Sequence, residues 1–142
     1  LRIIMAAYVK YEPFVQALVN EEVDIFGTTD TFRAVIHSDA PTVATDDELA
    51  DLTQITGTGY TAGGEDIQND GTRTGGTVTM TAVDVTWTAT AADWVAGRYV
   101  AIHDDTSTTD KRMCDFDYGA NFTVGNGETF SVDFGASLAT VA

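Results

Sequence analysis

From Thr31 onward the chain is a succession of short runs in which apolar and polar residues alternate, divided by stretches of Gly, Asn, Asp and Thr. Alternation of period two puts every second side chain on one face of an extended strand. A chain patterned this way buries its apolar faces by stacking sheets. Residues 31–37 set Phe32, Ala34 and Ile36 against Arg33, Val35 and His37 and form the first clear strand. Residues 98–103, 111–118, 121–124 and 128–134 follow, each four to eight residues long. The turns between them are the acidic and hydroxylic stretch 104–110, then Gly119, then Gly125-Asn126-Gly127, the last a good hairpin signal. In the strongest run, Val78, Met80 and Ala82 alternate with threonines, and Val83, Val85 and Trp87 then alternate in the opposite phase. A β-bulge after Ala82, or two strands in different sheets, would keep both apolar sets inside.

Helical signals are confined to the N-terminal third. Phe14, Ala17 and Leu18 recur at helical spacing over residues 12–19, with Pro13 where a first-turn proline is tolerated. Val23, Ile25 and Phe26 then lead to Gly27. Thr45-Asp46-Asp47-Glu48 reads as a capping box and predicts a short helix over 46–52 that buries Leu49 and Leu52. The fold class expected is mainly β: a single-domain β-sandwich or small barrel with a short N-terminal helix and extended arms. Residues 1–11 read as an N-terminal arm. Residues 12–142 read as one β-rich domain in which the Gly/Thr-rich segment 57–76 is a flexible arm. At 142 residues the chain fits one domain.

Charge removes whole classes of function. With 7 Lys and Arg against 22 Asp and Glu, the chain carries −15 at pH 7. Binding to nucleic-acid phosphates is driven by basic residues that release counterions, so direct contact with DNA or RNA is not expected. Adhesion to an anionic membrane is disfavoured for the same reason. Cys114 is the only cysteine, so no internal disulfide can form. The opening Leu-Arg-Ile-Ile-Met is too short for a signal sequence or a membrane span. Met5 before Ala6-Ala7 reads as a natural start, with residues 1–4 as upstream readthrough or a matter of how the sequence was assigned.

Chemistry-bearing motifs are scarce. The only histidines, His37 and His103, lie in strands outside any nucleophile frame and read as structural. Cys114 shares parity with Phe116 and Tyr118 and faces the core, where a thiol is inert. The glycines from Gly57 to Gly63 lack the spacing of a dinucleotide loop and read as loop flexibility. Asp104, Asp105, Asp110, Asp115 and Asp117 gather round one hairpin, and oxygen-rich clusters can hold Ca²⁺. Asp104, Asp105 and Asp110 are the candidate ligands, set against the plainer reading of a solvated acidic face. Trp87, Trp94, Tyr99, Phe116, Tyr118, Phe130 and Phe134 could line a groove, but strand parity puts most of them inside. No catalytic residue and no cofactor are assigned.

Several segments, taken together and in order, carry a resemblance. They are Ala6-Ala7-Tyr8-Val9-Lys10-Tyr11-Glu12-Pro13-Phe14, Thr31-Phe32-Arg33-Ala34-Val35-Ile36, Gly59-Tyr60-Thr61-Ala62-Gly63-Gly64, Val85-Thr86-Trp87-Thr88-Ala89, Phe116-Asp117-Tyr118-Gly119 and Asn126-Gly127-Glu128-Thr129-Phe130-Ser131-Val132-Asp133-Phe134. The set resembles a family of small virion structural proteins of tailed bacteriophages. Lys111-Arg112-Met113-Cys114-Asp115 departs from the more aromatic and aliphatic run of that family. The resemblance implies a non-enzymatic capsid decoration, or cement, protein. It would be made in the host bacterial cytoplasm and carried on the capsid exterior, with the major capsid protein and copies of itself in a symmetric oligomer, such as a trimer, as partners. A tail or neck component is the alternative. A glycan-binding module using an aromatic face near Trp87 and Trp94 is a reading of another class, and a hydrolase centred on a histidine is a third. The arms 1–11 and 57–76 are the parts expected to lie on a neighbour.

Overall fold

A computed structural model describes residues 1–4, 8–26 and 29–142. Met5, Ala6, Ala7 and Gly27 lie outside the described residues, and with them the proposed chain start. The chain is mainly β, with one short α-helix among the described residues. In order, the elements are β1 (Arg2–Ile4), β2 (Tyr8–Lys10), α1 (Glu12–Val19), β3 (Phe32–His37), a 3₁₀ turn (Leu49–Asp51), β4 (Glu65–Asp66), β5 (Asp70–Thr74), β6 (Thr77–Thr81), β7 (Val85–Thr88), β8 (Gly97–Asp104), β9 (Arg112–Phe122), β10 (Thr129–Asp133) and β11 (Ala139–Val141). They build a five-stranded antiparallel sheet in the order β2-β9-β8-β3-β4, and two three-stranded sheets, β1-β10-β7 and β11-β6-β5. Only β1 and β10 pair in parallel among the described strands.

Period-two patterning explains the layering. Phe32, Ala34 and Ile36 of β3, Val100 and Ile102 of β8, and Cys114 and Phe116 of β9 share one face of the large sheet. They join Val85 and Trp87 of β7 and Phe130 and Val132 of β10 in a single buried cluster. Met80 of β6 and Leu138, just before β11, bring the third sheet into the same cluster. The rings interlock: Phe122 stacks on Phe130 at 4.4 Å, and Trp87 and Tyr118 both lie 6.3 Å or less from Phe130. Helix α1 closes one end by burying Phe14 and Ala17, with Pro13 in its first turn.

Several boundaries differ from the sequence reading, each for a local reason. The opposite phases of Val78–Met80 and Val85–Trp87 are two strands in different sheets, with exposed Val83 in the connection. The box at Thr45–Glu48 shifts by one turn: Glu48 and Asp51 cap each other's backbone, only a 3₁₀ turn follows, and Leu49 and Leu52 stay half-buried. Gly119 does not end a strand. It adopts φ +92° inside an unbroken β9, where residues 118–121 bulge out of register with β8. The turn at Gly125-Asn126-Gly127 is present but makes no hairpin, because β9 pairs with β8 and β2 whereas β10 pairs with β7 and β1.

The two segments read as arms are taken up by the fold itself. Within 1–11, β1 extends the sheet beside β10, β2 pairs with β9, and Tyr11 is fully buried. Within 57–76, Ile67 is fully buried, its N–H donates to the Phe32 carbonyl at 3.0 Å, and its carbonyl accepts from Val83 at 2.7 Å. Gly64 passes so close to β3 that a Cβ there would sit 2.0 Å from the Ala34 carbonyl oxygen. Ile67→Ala should therefore cost about 2–5 kcal/mol in urea unfolding, as a core truncation does. A loss near zero would mean that the segment is a free arm after all.

Candidate functional site

The second face of the large sheet carries polar side chains and is nonetheless buried. Val35, His37, Tyr99, Ala101, His103 and Asp115 project there, opposite the aromatic core. The irregular chain between β3 and β4 covers them. It is tied down by Ser38 N–H to the Thr53 carbonyl at 3.3 Å, the His37–Gln54 bridge, and Arg112 N–H to the Asp47 carbonyl at 2.8 Å. A half-exposed histidine, the expectation from alternation alone, is not found: His37 and His103 are both fully buried.

Under this cover sits a charged network. Residues three apart on a regular strand point to opposite faces, yet Arg112 and Asp115 share one. The pairing explains this: Ile102 faces Cys114 whereas His103 faces Arg112, so Met113 is an extra residue in β9. Asp115 Oδ2 lies 2.9 Å from His37 Nε2 and 3.4 Å from Arg112 Nη2. Arg112 Nη1 reaches Asp46 at 3.4 Å, and its guanidinium lies over the Tyr11 ring, 4.4 Å from the centroid, while touching the Tyr11 hydroxyl. Burial, with the Asp115 charge beside it, pushes the Tyr11 phenol well above its ordinary range. Tyr99 stacks on His37 at 5.3 Å. These groups neutralise one another beneath a sealed surface, which is what a buried charge set needs in order to persist.

The five acids of the hairpin do not form one site. Asp104 is on the opposite face of β8 from His103, paired across from Phe32, and its Oδ1 accepts from the backbones of Thr106 at 2.9 Å and Ser107 at 3.3 Å. Burial pushes its carboxyl up to about 6. Asp115 belongs to the charged network. Asp117 is held by both Nε and Nη2 of Arg98 at 2.9 Å, which keeps its carboxyl below the usual range. Asp105 and Asp110 remain together at the hairpin end, Asp105 accepting from Arg33 Nε at 2.8 Å. Of the calcium candidates, Asp104 is thus separated from the other two. Cys114 is fully buried, and burial raises its thiol far above the ordinary value. Trp87 and Trp94 are 2% and 3% exposed, and Trp94 Nε1 donates to the Thr58 carbonyl at 3.0 Å. The Gly57–Gly63 glycines frame Tyr60, whose hydroxyl meets the backbone N–H of Ile36 at 3.1 Å and whose phenol burial pushes up to about 12.

One surface feature stands out against the acidity. A groove of about 270 Å³ runs between α1, β2 and β11, lined by Tyr8, Phe14, Leu18, Met113 and Val141, with Lys10 at its side. No Asp or Glu side chain lines it. Among the described residues both flanking strands are edges: β2 pairs with β9 alone, and β11 with β6 alone. Exposed Val15 and Val141 continue the apolar surface at its rim. Unpaired strand edges offer rows of backbone donors and acceptors to an added strand. Sequence patterning marks neither strand: residues 8–10 fall within the stretch read as an arm, residues 139–141 carry no strand reading, and edge position is set by tertiary pairing alone.

No family model, curated protein or solved structure matches the chain. No helix among the described residues is long and apolar enough to cross a membrane.

Two measurements probe the buried chemistry. Asp115→Asn leaves the Arg112 guanidinium with one carboxylate instead of two in a dry site, and should lower stability by about 3–5 kcal/mol, the cost of breaking a buried ion pair from one side. Cys114 should react with a thiol reagent only at the rate of global unfolding; fast labelling under native conditions would place it at the surface.

Proposed function

We propose that this chain is a non-enzymatic structural protein of a bacteriophage virion, a capsid decoration protein that binds the outer surface of the major capsid shell and stabilises it. The phage reading rests on the resemblance described above. A building role rests on one observation: a mainly apolar groove, lined by no Asp or Glu side chain, between two strand edges unpaired among the described residues, on a chain of net charge −15. Like-charged copies repel wherever carboxylates face one another, and this groove is where a second copy can seat without that cost. Lys10 beside it offers a counter-charge to an acidic neighbour. The same repulsion keeps free subunits apart before assembly, and screening over about 8 Å at physiological salt makes close packing tolerable.

The buried chemistry supports the same reading. His37 and Cys114 are fully buried, so a substrate has no route to them without local unfolding, and His103 is buried beneath the β8–β9 hairpin with no nucleophile beside it among the described residues. The two tryptophans that a glycan site would use are inside the core. The arms expected to reach a neighbour are built into the domain, so contact between copies falls to the edges β2 and β11. Quantitative mass spectrometry of purified particles should find this chain at a copy number comparable with that of the major capsid protein. A few copies per particle would favour a tail or neck position, and absence from particles would end the proposal.

A further inference from the structure

The hairpin between β8 and β9 brings a histidine, rather than a third aspartate, to Asp105 and Asp110. A ring nitrogen of His103 and one carboxylate oxygen from each of Asp105 and Asp110 lie within 4.8 Å of one another. His103 is fully buried, while the two acids are exposed and half-buried, so the group opens from the sheet toward solvent. The histidine is already oriented. Its Nε2 sits 3.0 Å from the Gly63 carbonyl oxygen, which can only accept, so Nε2 carries the hydrogen and Nδ1 holds a bare lone pair. That Nδ1 is buried and has no hydrogen-bond partner. A buried acceptor without a donor is costly, and an ion would satisfy it.

We propose that His103, Asp105 and Asp110 bind one divalent first-row transition metal ion, with Zn²⁺ as the probe that defines the site. The donor set is one imidazole and two carboxylates, which suits zinc with a water in the fourth position. Calcium needs six to eight oxygen donors and is poorly served by an imidazole and two side chains. The surrounding contacts are those of a supported ligand shell. A metal-bound imidazole donates its other N–H to a carbonyl, as His103 does to Gly63, and Arg33 Nε holds Asp105 through Oδ2, leaving Oδ1 for the ion. The bound ion would clamp the tip of the β8–β9 hairpin to the end of β8, and through Gly63 to the chain that covers the sheet. This role is independent of the position of the protein in a particle.

With two histidines in the chain, ¹⁵N-histidine NMR reads the site directly. Zn²⁺ added to chelator-treated protein should shift His103 Nδ1, saturate at one equivalent, and leave His37 unmoved, while Ca²⁺ at the same concentration should not shift His103. Asp110 sits at φ +53°, a conformation that asparagine also tolerates, so Asp110→Asn removes the charge with little strain. It should weaken zinc binding at least tenfold, and Asp105→Asn should do the same. Zinc that leaves His103 unshifted, or binds both variants as tightly as the parent, would be adventitious binding to an acidic surface and would overturn the proposal.

Discussion

A sheet buried on both faces has to be covered twice, and this requirement organises the molecule. The aromatic face of β2-β9-β8-β3-β4 is covered by regular structure, the strands β7 and β10 with their large rings. The other face is covered by irregular chain, whose backbone donors and acceptors must all find partners once water is excluded. That is why the cover is pinned by so many specific bonds: Ile55 N–H to the Ile36 carbonyl, Gly63 N–H to the Gln54 side chain, and Arg33 Nη1 to the Gly64 carbonyl. It is also why polar side chains sit beneath it. Irregular chain presents carbonyls and carboxylates, and histidine and arginine can answer them where leucine could not.

The first face was legible in the sequence and the second was not. Period-two alternation located Phe32, Ala34 and Ile36 in the core, and helical spacing with Pro13 gave α1 its observed limits. The same alternation assigns Arg33, Val35 and His37 to solvent, because it registers only that a face is mixed, not that a loop will close over it. The Met113 bulge is invisible for a related reason. One inserted residue changes which side chains share a face, and it is fixed by register against β8 rather than by any local preference of Arg112-Met113-Cys114. Gly125-Asn126-Gly127 shows the opposite case, where local chemistry correctly gives a turn but tertiary pairing decides which strands it separates. For the hairpin acids, proximity in sequence concealed the alternation of β8, which sends Asp104 inward and leaves His103 to join Asp105 and Asp110.

Charge and packing divide the work between interior and surface. The few cations are largely committed to particular acids: Arg33 to Asp105, Arg98 to Asp117, Lys111 to Asp47, and Arg112 to Asp46 and Asp115. The pairs of Arg33, Arg98 and Lys111 are partly exposed and contribute little to stability, unlike the buried Arg112 pair. Their effect is to lower the local density of negative charge along the large sheet, while the remaining carboxylates set the long-range field. Against that field, the groove beside β2 and β11 is distinguished by composition as much as by shape, since no Asp or Glu side chain lines it.

The order of strands across the small sheet has a consequence for biosynthesis. Its middle strand, β10, is nearly the last element of the chain, yet it bridges β1 at the opposite end and β7 between them. Neither β1 nor β7 can complete its layer until β10 has been synthesised, because β10 is the strand that joins them. Such distant pairing makes folding slow and late. The layer therefore stays open along most of the chain's length during synthesis, and closes only when the strand that unites its two distant edges arrives.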